Sequence, residues 1–473
     1  MPNIQTHTFP NGFRVIYEQP PYPTEITYIN AFCRVGSIFE PENLRGVSHF
    51  IEHMCFKGTR KLANAREIFE VYDNIGAYFN AYTEKQFTCY VSTFDNAYTD
   101  KCITTISDMM LMSTFNQKEY TKEINVVIEE NVRNSVNYEN ISEDLTSSML
   151  YKGSVYAYPV DSLKYHKLVE KWDYANVLAF YHQYYVPENM MLSIVSSVPF
   201  HTILRIVKSS FFGKDVPRPH STREPILNIQ PKMMLHPQTK MRIQLFHVPN
   251  IQTAYISIGF RTCSLYSEDK PILELLQILM GGKYTAMISM LLREKHGLTY
   301  RSVVTTHFYE HSGDIVAFAI TDSEKIMHAY KDSRNKTAVL RRRPTGGKTR
   351  RQRRDLRGVL PVIVDMLNKI IHNGVDAKDL ENAKMYMRGK FNMNLAKGVE
   401  PVEYNGTEWF LRNTERFTTY SELYNTVYAP ITRKDLHAVI RRYFTPTNLC
   451  VAIVGGNLPE ESRIKRCCEG IFR

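Results

Sequence analysis

The chain has 473 residues, 43% of them hydrophobic, with eight cysteines and a formal net charge of +11. That length supports two to four ordinary domains with substantial cores, and no apolar run approaches the roughly 18 residues of a membrane-spanning helix. The cysteines form no C-x-x-C pair, which points to reduced thiols in a reducing compartment.

The opening stretch "MPNIQTHTFPNGF" carries neither a secretory apolar segment nor an Arg/Ser-rich amphipathic presequence. No targeting signal is read, so a cytoplasmic or other reducing location is expected, with the mitochondrial matrix as the alternative. Alternating runs "FRVIYE" at 13–18 and "ITYINAF" at 26–32 predict strands. A helix is predicted over 46–56, within "GVSHFIEHMCFKGT", where His49, Glu52 and His53 share one face because residues three and four apart project together. Two imidazoles at i and i+4 can close on one Zn²⁺ at about 2.0–2.1 Å per bond, and the carboxylate before the second His reaches a water on the same ion. The plain alternative is a helix whose two histidines are solvated or satisfied in a core.

Further along, helices are predicted at 64–75, 95–115 and 119–137, and a strand at "FTCYVSTF", 87–94. A hydrolytic zinc site needs a third protein ligand and one open position. In "EYTKEINVVIEENVRNSV", starting at Glu119, Glu123 and Glu130 are two turns apart and share a face, whereas Glu129 is turned about 100° from Glu130. Glu130 is therefore the expected third ligand and Glu123 its neighbour. The competing reading for both is an ordinary solvated glutamate on an amphipathic helix.

An internal repeat decides the architecture. "YINAFCRVGSIF" at 28–39 aligns with "YISIGFRTCSLY" at 255–266, an offset of 227, and "YYVPENMMLSIV" at 184–195 aligns with "YFTPTNLCVAIV" at 443–454, an offset of 259. The second copy is longer between these markers by 259 − 227 = 32 residues. His49, Glu52 and His53 fall on Leu276, Leu279 and Met280, and Glu123 and Glu130 on Asn382 and Gly389. One zinc per chain is expected, in the first half. The fold class is α+β: two homologous halves, each a mostly antiparallel sheet covered by helices, enclosing a cavity. The domains are 1–215, a Pro-rich linker at 216–240 with five prolines from Pro217 to Pro237, and 241–473.

An Arg-rich insert, about 335–358, accounts for the extra length: from Lys336 to Arg357 ten basic residues face one acid, so this segment carries +9 of the formal +11. It reads as disordered. A nucleic-acid or address-like patch and a solvated surface loop are its two readings. "GGKT" at 346–349 lacks the first glycine of a phosphate-binding loop, since position 342 is Arg.

The chain resembles the pitrilysin/insulysin-type zinc peptidases, the inverzincins, and in particular their half-length branch around the mitochondrial processing peptidase β subunit. The resemblance rests on "FPNGFRVIYE" at 9–18, "RVGSIFEPENLRGVSHFIEHMCFKGT" at 34–59, "GAYFNAYTEKQFTCY" at 76–90, "VVIEENVR" at 126–133 and "LLREKHGLTYRS" at 291–302. It implies zinc held by His49, His53 and Glu130, with Glu52 as general base and Glu123 as a supporting acid of the catalytic set. It also implies that Asn80 and Ala81 lie on an edge strand that pairs with substrate, and that Arg293 and Tyr300 contact it. The expected function is hydrolysis of extended peptides or presequence-like segments, by a chain acting as a homo- or heterodimer with a related subunit. The alternatives are a non-catalytic partner or scaffold subunit of the same fold, and a nucleic-acid-associated protein acting through the insert.

Overall fold

A computed structural model describes residues 3–161, 165–216, 235–328, 358–412 and 418–473. Most of the Pro-rich linker and the whole Arg-rich run from Lys336 to Arg357 lie outside the described residues.

The chain forms two units. The first comprises Met1–Val136, Tyr158–Met234 and Arg388–Thr426, the second Asn137–Ala157, Leu235–Met387 and Val427–Arg473. In the first unit, strands β1 (Asn3–Thr8), β2 (Arg14–Gln19), β3 (Ile26–Cys33), β4 (Tyr78–Thr83), β5 (Thr88–Asp95) and β6 (Met190–Val195) form a sheet of order β1-β2-β6-β3-β5-β4. The second unit holds β7 (Arg242–His247), β8 (Thr253–Thr262), β9 (Arg301–Phe308), β10 (Gly313–Asp322) and β11 (Leu449–Gly455), in the order β7-β11-β8-β10-β9. Each sheet is antiparallel except for one parallel pair, β2 with β6 and β7 with β11.

The repeat holds at the level of register. Ala31 on β3 pairs with Leu192 and Tyr90. Ile258 on β8 pairs with Val451 and Ala317, the positions the two offsets assign. The shorter offset persists through β10, so the added residues enter between Asp322 and Val359, where the next helix begins. The ends of that segment meet: Gly358 N–H donates to Met327 O at 3.2 Å and Leu360 N–H to Ile326 O at 2.9 Å. Position 358 has to be glycine for this approach, since a Cβ would stand 2.4 Å from Lys325 O.

Five helices of the first half position the site or build the core: α1 (Val47–Met54), α2 (Ala65–Asp73), α3 (Thr99–Leu111), α4 (Gln117–Asn134) and α5 (Tyr138–Leu150). The first four belong to the first unit, but α5 packs on β8 and β11 of the second sheet, with Ser142 Oγ 2.7 Å from Ser257 Oγ. Its repeat equivalent, helix Val399–Arg412, packs on β3 and β6 of the first sheet, where Ser193 Oγ donates to Val402 O at 2.6 Å. Each half thus gives the same helix to the other half's sheet. The central strands are consequently buried on both faces. Ile29 and Ala31 join the core beneath the first-half helices, while Phe32 on the opposite face packs against Phe410, ring centroids 5.6 Å apart. This is why β6 and β11 read as near-continuous apolar runs, broken in β6 by Ser193, rather than alternating ones. No described helix is long and apolar enough to cross a membrane.

Candidate metal centre

The apolar face of α1, built from Val47, Phe50, Ile51 and Met54, is fully buried. That anchoring turns His49, Glu52 and His53 toward α4. The helix begins at Gly46, whose φ of 92° is left-handed and favours glycine. Its first N–H groups are capped from a distance by the buried Glu40 carboxylate, which accepts from Gly46 N–H at 2.7 Å and Ser48 N–H at 2.9 Å. A carboxylate at a helix start satisfies groups that have no partner within the helix and opposes the helix dipole.

His49 Nε2 and His53 Nε2 lie 3.1 Å apart. Glu130 Oε2 on α4 stands 3.6 Å from His53 Nε2 and 4.0 Å from His49 Nε2. Tetrahedral bonds of about 2.0–2.1 Å place neighbouring ligand atoms about 3.3–3.4 Å apart, so these donors bracket the separation a zinc ion requires. Among the described residues they are the one group of His, Cys, Asp and Glu with metal-ligand spacing. Glu129 is exposed and takes no part in the cluster.

Electrostatics prepare the histidines differently. Burial, reinforced by neighbouring His53, pushes His49 down to about 4, so its imidazole is neutral and carries a lone pair. For His53 burial also acts downward, but the Glu123 hydrogen bond and the acids Glu130 and Glu52 outweigh it and raise the pKa. Glu123 Oε1 lies 2.8 Å from His53 Nδ1, which leaves Nε2 facing Glu130 and His49. A carboxylate on the outer nitrogen of a ligating histidine fixes its tautomer and strengthens it as a donor. The second oxygen of Glu123 pairs with Lys57 Nζ at 2.7 Å. Burial alone would raise the Glu123 pKa, yet the bonds from His53 and Lys57 hold it below the usual carboxylate range. Glu123 therefore meets the cluster at His53.

Glu52 is buried beside this cluster and accepts from Thr83 Oγ1, at the end of β4, at 2.6 Å. Its pKa is raised by burial, with the Thr83 bond and His53 opposing and Glu130 assisting. Asn80 and Ala81 lie on β4, the edge strand of the first sheet. Glu84 N–H bonds inward to Phe87 O, so the two-residue alternation turns the Ala81 backbone to the unpaired side, where Asn80 Oδ1 accepts its N–H at 2.9 Å. Arg293 and Tyr300 belong to the second unit. Arg293 sits in the wide turn Met290–Lys295 with its side chain mostly exposed, and Tyr300 precedes β9 with 77% of its surface exposed.

In the second half Leu276, Leu279 and Met280 are buried on helix Lys270–Met280. Edge strand β9 is covered rather than open: Gln277 Nε2 donates to Val304 O at 2.6 Å and Ser289 Oγ to Ser302 O at 3.4 Å. Sequence reasoning missed Lys57, Thr83 and Glu40. Lys57 is four residues beyond His53, a signal within reach; Thr83 and Glu40 reach α1 only through tertiary contacts.

Comparison with known proteins agrees with this geometry. The family model described as Insulinase (Peptidase family M16) matches residues 14–161, and that described as Peptidase M16 inactive domain matches 171–343, the region containing Leu276, Leu279 and Met280. An uncharacterised zinc protease of Bacillus subtilis is 26% identical over 96% of this chain and 100% of its own length. The mitochondrial-processing peptidase subunit β of Caenorhabditis elegans is 29% identical over 45% of each chain. The crystal structure of a protease from Helicobacter pylori superposes with a TM-score of 0.78 over 96% of this chain and all of that one, at 18% identity. With the two M16 models together spanning more than half of the sequence, the chain belongs to the insulinase-type peptidase family M16, in its half-length branch.

Proposed function

We propose that this chain is a zinc-dependent endopeptidase that cleaves extended peptides, presequence-like segments among them. The observation that carries the reading is the convergence of His49, His53 and Glu130 at ligand spacing with a buried carboxylate, Glu52, on the same helix. Zinc bound there would supply a Lewis acid for the scissile carbonyl and bring the pKa of its water from 15.7 to about 7. Glu52 takes a proton from the attacking water and returns it to the leaving amine. Burial raises its pKa, which strengthens it as the base of the first step. Glu123 and Lys57 keep His53 in the tautomer that presents Nε2 to the metal. The outward N–H and C=O of Ala81 accept the substrate as an added strand once Asn80 releases the N–H. Arg293 and Tyr300 are the cation and phenol suited to anchoring that substrate or steadying the oxyanion.

One zinc per chain follows from the apolar core at Leu276, Leu279 and Met280. The domains we assign are 1–215 for catalysis and 241–473 for its homologue, working with the same chain or with a related subunit as a dimer. No disulfide forms among the eight cysteines, all of them described, in keeping with a compartment that keeps thiols reduced. A non-catalytic scaffold would not require the complete set of ligands and base. The test is hydrolysis of a peptide library by the purified chain, with and without chelator, beside Glu52→Gln. Chelator should abolish activity, and Glu52→Gln should retain zinc with turnover lost. Activity that survives the chelator would refute the mechanism.

A further inference from the structure

Helix Ala377–Lys397 is the repeat equivalent of α4, and one side of it is fastened to the protein. Leu380, Ala383 and Met387 are buried, Phe391 packs against Tyr420 with ring centroids 4.8 Å apart, and Asn394 Nδ2 donates to Tyr420 Oη at 3.1 Å. These positions recur every three or four residues and form one seam. Opposite such a seam a surface helix ordinarily carries charged and polar side chains. Between Met385 and Ala396 that opposite side carries Met385, Gly389 and Ala396, with Asn392 as the one polar residue among them and Met393 and Tyr386 alongside. Met385 is 63% exposed and Met393 55%.

Gly389, which the repeat pairs with Glu130, has no internal reason to be glycine. Glycine in a helix interior is destabilising, and a Cβ at this position would meet nothing within 4 Å. Met385, Gly389 and Met393 form one row at i, i+4 and i+8, so the missing side chain leaves a notch between two methionines. The charge around the row has one sign. From Asn382 to Val399 the sequence contains Lys384, Arg388, Lys390 and Lys397 and no acid. Lys384 is engaged by Glu381 at 3.7 Å and by Ala429 O at 2.8 Å. Arg388, Lys390 and Lys397 are exposed and make no ion pair among the described residues. The helical turn places Arg388 on one flank of the row and Lys390 and Lys397 on the other.

We propose that this face docks an acidic amphipathic helix of another protein, one ridge seated in the Gly389 notch, its apolar side on Met385, Met393 and Tyr386, and its carboxylates toward Arg388, Lys390 and Lys397. The distance between packed helices is set by the side chains at their contact, so a glycine in the middle of the row admits close approach. Methionine adapts its shape to the surface it meets. Basic flanks select a partner of opposite charge and repel basic ones. No stretch of this chain outside the described residues carries a net negative charge, so none of them is the matching occupant. A bilayer is the poorer fit, because an interfacial helix presents bulky apolar side chains to the acyl region and has no use for a notch. None of these residues belongs to the metal cluster or to β4.

The test is fluorescence anisotropy at constant ionic strength with the full chain and a labelled, helix-locked peptide of about five turns, leucine at i, i+3 and i+4 spacing and glutamate along both flanks. The same peptide with lysine for each glutamate, and vesicles of equal parts phosphatidylcholine and phosphatidylserine, are measured beside it. The lock keeps the peptide from adding to β4 as a strand, so its binding is read apart from peptide hydrolysis. Saturable binding of the glutamate peptide is expected, at least about tenfold tighter than that of the lysine peptide. Met385→Ser with Met393→Ser should weaken it about tenfold or more, and Gly389→Leu should do the same by filling the notch. Arg388→Gln with Lys390→Gln should remove the preference for glutamate. Gly389→Leu should keep or raise Tm, since leucine is the better helix former, and zinc content should be the same in every variant. Attraction to the Arg-rich run is common to parent and variants, so the difference between them reads this face. Undiminished binding in Gly389→Leu, equal affinity for the two peptides, no saturable binding by the parent, or binding to the vesicles in place of the peptide would overturn the proposal. So would a lower Tm in Gly389→Leu, which would show that the glycine serves the chain's own packing.

Discussion

Replacing Glu130 by Gln tests the metal centre most directly, because the adjacent Glu129 supplies an internal control of the same chemistry. Glu130 Oε2 faces both imidazoles while Oε1 leans toward Arg133 NH2 at 3.6 Å. Glu129 is one residue away, about 100° around α4, and exposed. Four-ligand structural zinc sites hold their ion with an apparent 10–16 kcal/mol, which makes each ligand worth roughly 3–4 kcal/mol. A neutral amide retains a weak carbonyl donor but loses the charge, so Glu130→Gln should weaken zinc by about 3 kcal/mol, roughly a hundredfold in Kd. Glu129→Gln should stay within about twofold, since it alters only a solvated charge. Competition with a chromophoric chelator, on apo protein refilled with zinc, measures both. Zinc retained in Glu130→Gln but lost in Glu129→Gln would mean that α4 presents a different face, and the ligand assignment would fall.

Other consequences are open to test. Thr83 Oγ1 donates to the ionised form of Glu52 and so opposes the upward push of burial; Thr83→Val should move the acid limb of kcat/KM to higher pH while leaving the rate above that limb intact. A limb that stays put or moves down would remove Glu52 from the base role or Thr83 from its control. Gly46→Ala imposes a side chain on a φ of 92° at the start of α1, at about 1–2 kcal/mol; a Tm equal to that of the parent would contradict the strained cap. Deleting residues 336–357 should leave zinc affinity and Tm nearly unchanged, because the flanking backbone is already joined at Met327 and Gly358; unfolding on deletion would show that the segment is built into the second core.

Much of the site was legible because its chemistry is local. His49, Glu52 and His53 lie within one turn and a half, and a single helix period fixes their common face. Glu130 required only a second helix and the same geometry. The predicted helices at 46–56, 64–75, 95–115 and 119–137 appear as α1 to α4, the first three shortened at both ends and α4 shifted to start two residues earlier and stop three earlier, since apolar periodicity does not report where capping starts or stops a helix. The repeat was readable through β-strand sequences buried on both faces, which leave little freedom for drift. What could not be read was the destination of α5. Its sheet-facing side carries Ser142 and Thr146 beside Leu145 and Met149, a pattern that signals burial weakly and says nothing about which sheet is covered.

That exchanged helix carries the chain from the first unit into the second. α4 ends at Asn134 and α5 begins at Tyr138, so Glu130 lies eight residues before a helix that belongs to the second unit. On the second sheet α5 is held through Ser142, through close approach at Gly259, where a Cβ would meet Thr146 and Leu150 at 3.1 and 3.2 Å, and through Glu139, which Arg301 grips with one nitrogen on both carboxylate oxygens. Tyr151, just past its end, donates to the buried Asp314, which His307 also contacts at 2.8 Å. The second sheet thus takes one of its covering helices from the first half of the sequence, while the positions that repeat His49, Glu52 and His53 carry Leu276, Leu279 and Met280, which are buried as apolar core.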